Sequence, residues 1–156
     1  MYLTVIPGAA VVAPIRKDND MTQLTNLAVQ TVEPNENVLF GTVIIHSRSG
    51  AERFLLGGGQ LVLLKPGVYD VDFTGNIAVP TGETVGEISL SFTLDGELLP
   101  GSRMRVTPAA VEEYFNVAKS YLVTVPCNCC ARLAVRNTSD IPVLVDSPVL
   151  HDVRNS

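Results

Sequence analysis

A chain of 156 residues is long enough to enclose one sizeable core and too short to divide into two. Apolar residues make up 46% and charged residues 17%, with 12 Gly and 10 Pro spread along the length, a composition that describes a folded, turn-rich chain and excludes disorder. The 11 Lys and Arg against 16 Asp and Glu leave a net charge of −5 without a basic cluster, which excludes nucleic acid as a partner. Membrane insertion is excluded as well, because no apolar run approaches the roughly 20 residues of a span.

The first 30 residues contain two apolar runs, Tyr2 to Ile6 and Ala9 to Ile15, around a polar stretch from Arg16 to Asp20. No basic region precedes them, so they do not resemble a secretory leader, and the chain reads as soluble and made in the cytoplasm. Residues 1–30 are either an attachment arm or the first strands of the domain that occupies residues 31–156.

From there on the chain mostly alternates at period 2, the spacing of a half-buried strand. Strands are predicted at Val38 to His46, Arg53 to Leu56, Gln60 to Leu64, Val68 to Thr74, Ile88 to Leu94, Arg103 to Thr107, Ala131 to Arg136, Pro142 to Val145 and Val149 to Arg154. In Ile88 to Leu94 the apolar residues face one way and Ser89, Ser91 and Thr93 the other, and Asp95-Gly96 then supplies the positive φ angles of a tight hairpin. Tyr69, Val71 and Phe73 share one face, Asp70 and Asp72 the other. Short strands separated by Gly-, Asn- and Ser-rich turns predict an all-β, antiparallel sandwich or barrel.

One segment departs from this pattern. Val111, Tyr114, Phe115, Ala118, Tyr121 and Leu122 follow the spacing of an amphipathic helix, and Thr107-Pro108 suits its start. The local pattern favours that helix, although a short turn at Pro108 to Val111 followed by a strand from Tyr114 to Val125 also fits.

Candidate chemistry is sparse. Cys127, Cys129 and Cys130 could offer thiolates to a soft metal, but a structural site needs four ligands and no second pair accompanies them, so they read as reduced, packed thiols. His46 and His151 would meet if the first and last strands lay side by side, yet a cupin-like metal site requires more histidines. Asp70 and Asp72, joined by Asp95 or Glu97, could hold a calcium ion, though paired carboxylates on one strand face ordinarily form its solvated side. No nucleophile elbow, P-loop or zinc-protease motif is present, so neither a cofactor nor a catalytic residue is nominated and the chain reads as non-enzymatic.

Gly67-x-Tyr69-x-Val71-x-Phe73, placed after Leu61 to Lys65, resembles the G-x-Y-x-F-x-F strand of C1q and tumour-necrosis-factor-like jelly rolls. Val38-Leu39-Phe40, Ile88 to Glu97, and Val123 to Pro126 ahead of Leu133 to Asn137 follow in the same order, so the resemblance spans about Val32 to Arg154. Asn76 to Gly82, Val106 to Val117 and Cys129-Cys130 resemble proteins carried by phages and prophages of gut Firmicutes. The final C1q strand motif is replaced by Val149 to Val153 and no collagen-like stalk precedes the domain, so complement-type function is not carried over.

The resemblance implies a homotrimer, with Tyr69, Phe73, Phe92, Tyr114 and Tyr121 packing in the core or along the threefold axis, and a strand at Tyr114 to Val125. It further implies a virion surface component assembled in the bacterial cytoplasm: a capsid decoration, head fibre or receptor-binding head. Such a component would contact other virion proteins through the N-terminal arm, and exposed loops could take a host-surface glycan or protein. The rival expectations are a bacterial surface or spore-coat binding module and a small cupin-like metalloenzyme.

Overall fold

Period-2 alternation produces paired strands that stack into two sheets. The computed structural model describes residues 20–48, 50–55, 57–127 and 130–155. In chain order the strands are β1 (Met21–Thr25), β2 (Gln30–Val32), β3 (Thr42–Ile45), β4 (Glu52–Phe54), β5 (Leu61–Leu63) and β6 (Gly67–Ala78), then β7 (Ile88–Leu94), β8 (Glu97–Leu98), β9 (Met104–Val106), β10 (Phe115–Val125), β11 (Ala131–Asn137) and β12 (Val143–Arg154). The first sheet runs β10-β6-β12-β1-β3, with β2 beside the start of β12; the second runs β4-β5-β11-β7-β8, with β9 also on β7. All pairings are antiparallel.

The helix favoured by local spacing at 108–122 does not form. Phe115 to Val125 instead pair residue for residue with β6, from Ile77 back to Gly67. The edge of β6 would otherwise leave its backbone groups unpaired, and the strand conformation still buries Val117, Val123 and Val125. Glu112 at φ 55 marks the turn that ends any helical course. The segments at Pro142 to Val145 and Val149 to Arg154 are one strand, β12, interrupted by a bulge at Asp146 to Val149 where Ser147 takes φ 51. Gly75 sits opposite this bulge, where a Cβ would come within 3.1 Å of the Phe73 ring.

Met21–Thr25 stands in the first sheet between β12 and β3, while residues 1–19 lie outside the described residues. The Asp95-Gly96 turn closes the β7–β8 hairpin with φ 53 and 86. On β7 both faces are buried. Ile88, Leu90 and Phe92 enter the core, and the opposite hydroxyls of Ser89 and Ser91 hydrogen-bond to Thr138 at 2.7 and 3.2 Å.

The core lies between the sheets. Tyr69, Phe73 and Ile77 of β6, Phe92 of β7, Leu133 of β11 and Leu150 of β12 are fully buried in it. Asn137, also fully buried, ties its margin together: Nδ2 donates to the carbonyls of Val32 (2.9 Å) and Ile141 (3.0 Å), and Oδ1 accepts from the Ser139 amide at 2.8 Å. Asn137→Ala strands these carbonyls without their donor, at about 1–3 kcal/mol for each one left unsatisfied. The expected loss of stability is measured as a fall in the urea midpoint at unchanged m-value.

Candidate functional site

The face of the first sheet that points away from the core is the broadest candidate surface. Strand register fixes its rows: Leu122, Asp70, Val153 and Met21 lie abreast, and beside them Ser120, Asp72, His151, Gln23 and Ile45. Side chains alternate across the pleat, so the residues that face outward here are the ones left over when Tyr69, Val71 and Phe73 fill the core. The result is a polar centre with apolar surroundings, among them Leu122 at 62% and Ile45 at 40% exposure.

Within the polar row, Ser120 Oγ donates to Asp72 Oδ1, and Asp72 Oδ2 lies 3.3 Å from His151 Nε2. The carboxylate therefore stands between hydroxyl and imidazole. A nucleophilic serine needs the imidazole next to its hydroxyl, with the carboxylate behind, so this order of contacts does not activate Ser120. The row holds charge at the centre of the face.

The other sequence candidates are dispersed. His46 is exposed beyond the end of β3, apart from the His151–Asp72 pair. Asp95 belongs to the second sheet's hairpin, where its carboxylate accepts from the Arg132 amide at 3.0 Å, so neither it nor Glu97 joins Asp70 and Asp72. Cys127 is a free, exposed thiol and Cys130 is disulfide-bonded, which corrects the expectation of reduced thiols for Cys130; Cys129 lies outside the described residues. Among the described residues no group of three or more His, Cys, Asp or Glu is arranged to hold a metal ion.

Of the aromatic candidates, Tyr69, Phe73 and Phe92 are core residues. Tyr121 is half-buried and inward-facing, edge-on to Phe92 with ring centroids 6.2 Å apart, and its hydroxyl donates to the Pro100 carbonyl at 2.6 Å. Tyr114 is exposed ahead of β10, its phenol pushed up by partial burial and by the charges of Asp146 and Glu112. On the second sheet, Asn37, Arg53, Phe54, Leu55, Gln60 and Val62 line an open cleft of about 660 Å³, which combines apolar surface with one cation and holds no nucleophile and base.

Sequence reasoning missed the most unusual residues. Glu52 and Asp152 are buried carboxyl groups on facing sheets. The signal was available in the period: Asp152 has the parity of Leu150, and Glu52 that of Phe54.

Two antiparallel sheets with this strand order define a jelly roll of the C1q and tumour-necrosis-factor type. Solved structures bear this out. The chain superimposes on the globular domain of zebrafish complement 1qA with a TM-score of 0.67 at 11% identity, covering 88% of this chain and 98% of that one. The Eiger TNF of S. frugiperda gives a TM-score of 0.67 at 12% identity over 88% and 93%, and murine APRIL 0.64 at 10% over 87% and 99%. At these identities the likeness establishes the fold. No protein-family model and no curated protein sequence matches the chain.

Because the described cysteines do not form a metal set, chelation with EDTA and the Cys127→Ser substitution are each expected to leave the thermal midpoint unchanged. Differential scanning calorimetry checks this, and a fall on chelation would restore the metal reading.

Proposed function

We propose that this chain is a non-enzymatic, homotrimeric binding and structural module displayed on a phage virion surface. The observation that carries the trimer is the outward face of the first sheet, where Leu122 stands exposed beside the polar row with Val153 and Met21 in line with it. Packing that face against two further copies removes this apolar surface from water, at about 25 cal/mol for each Å² buried. The jelly-roll resemblance supplies the stoichiometry.

The virion setting rests on the resemblance of Asn76 to Gly82 and Val106 to Val117 to phage and prophage proteins. In this reading the part of the N-terminal segment 1–30 that precedes β1 is the attachment arm that contacts other virion proteins, since Met21–Thr25 is already a strand of the sheet, and the trimer presents three copies of its loops to a host-surface glycan or protein. Presenting identical sites together raises avidity without requiring tight single contacts. The domain assembles in the bacterial cytoplasm and is carried on the particle.

Leu122→Asp places a charge on the proposed contact and is expected to convert a three-chain species into monomers, read by sedimentation velocity with circular dichroism confirming retained β structure. A wild-type protein that sediments as a monomer at all concentrations overturns the trimer. Deleting residues 1–19 is expected to leave the trimer intact and to remove it from purified particles, scored by immunogold electron microscopy.

A further inference from the structure

One end of the sandwich contains a polar pair that serves neither the apolar core nor the outward face. Asp152 of β12 is 0% exposed and Glu52, the first residue of β4, is 3% exposed. They come from different sheets, so the pair bridges the sandwich. No hydrogen-bond donor reaches any of the four carboxyl oxygens. The two groups nevertheless face one another closely enough for the charge of Glu52 to act on Asp152.

Tyr69, on which both acids act, and Arg154, which acts on Tyr69, are committed elsewhere. Arg154 binds Asp20 at 2.8 Å and the Pro66 carbonyl at 2.9 and 2.6 Å, through Nη1, Nε and Nη2 respectively. The Tyr69 hydroxyl donates to the Lys65 carbonyl at 2.7 Å and lies 3.3 Å from that of Ala51. Val71 and Thr22 flank Asp152 in the first sheet, and Leu63 flanks Glu52 in the second. Asp20, next to β1, adds a further negative charge that acts on Asp152, while the Thr22 backbone amide pulls weakly the other way from outside hydrogen-bonding geometry.

Two carboxylates cannot both stay ionised side by side in so dry a place. A single proton between them supplies the missing donor and leaves one charge instead of two. We propose that Asp152 and Glu52 share one proton that clamps β4 to β12, so that this end of the domain is held shut in acid and loosens in base.

The direction of proton affinity agrees. Burial first, then Glu52, then the charge of Asp20, push the Asp152 carboxyl up to about 10. The Tyr69 phenol, raised to about 12 by burial and by Glu52, stays neutral through that range. The unfolded chain releases the Asp152 proton near its ordinary value of 3.8, whereas the folded chain keeps it to about 10. The unfolded state therefore binds fewer protons within that window, and stability falls as pH rises through it, by up to about tenfold in the unfolding constant per pH unit. The usual acid loss runs in the opposite direction.

The test is urea unfolding of the full chain at one protein concentration from pH 4 to pH 9, with Asp152→Asn alongside. Wild type is expected to lose stability steadily with rising pH from this pair. The Asn variant, whose amide supplies a permanent donor to Glu52, is expected to flatten that slope and to exceed wild type at pH 9. Equal slopes in the two proteins overturn the clamp. So does stabilisation by calcium or zinc at pH 8 that Asp152→Asn abolishes, since the pair would then be a cation site. Glu52→Gln provides the reciprocal variant, and should neither variant fold, infrared spectroscopy of wild type at pH 7 decides: the band of a buried protonated carboxyl supports the clamp and its absence overturns it.

Discussion

The fold depends on the double pairing of β6. This strand is hydrogen-bonded along one edge to β10 and along the other to β12, and its inward side chains Tyr69, Val71, Phe73 and Ile77 are all fully buried. A strand bound on both sides and covered on one face satisfies its backbone completely and cannot slip by one residue without turning that apolar row to solvent. Everything on the opposite face, including the Ser120–Asp72–His151 row, is therefore held in a fixed register by residues that never touch it. Gly75 and the β12 bulge belong to the same constraint, since the bulge is accommodated where β6 carries no side chain to obstruct it.

Much of this architecture was legible in the sequence because alternation and turn chemistry are local. Ile88 to Leu94 with Asp95-Gly96 became a strand and hairpin with the expected bounds, and the Tyr69–Phe73 row became core. The segment around Phe115 to Leu122 was not legible locally, since its spacing satisfies two periods at once and only the long partner strand decides between them. β1 fell within residues 1–30, which the sequence left open between arm and first strands, while β2 and β8 were given no bounds because runs of three and two residues beside turns hold little alternation of their own. For the candidate site, the sequence showed which residues face outward but not which would be neighbours. Asp72 meets His151 through a pairing of strands almost eighty residues apart, and no spacing rule contains that information.

The two polar constellations of the first sheet illustrate how burial changes the meaning of the same chemical group. Asp72 and Asp152 lie on neighbouring strands, yet Asp72 is partly solvated, accepts from Ser120 and sits beside an imidazole, whereas Asp152 is enclosed with another acid. The first is a solvated carboxyl group on the outward face. The second can persist only by holding a proton, which makes it a part of the core whose character is set by the solvent's acidity.

The arrangement of β12 reaches beyond the folded state. This strand is last in chain order among the described elements, yet it lies between β6 and β1 in the middle of the first sheet. The Arg154–Asp20 ion pair, which fastens its end beside β1, joins residues 134 positions apart. During synthesis β1 therefore leaves the ribosome long before its partner exists, and β6 presents one unpaired edge until β12 arrives. Closure of so large a loop is slow relative to local pairing. Pairing of β1 and β6 with β12 thus waits until the whole stretch between them has been made, and in the interval the nascent chain carries an open sheet edge that other copies emerging nearby could join.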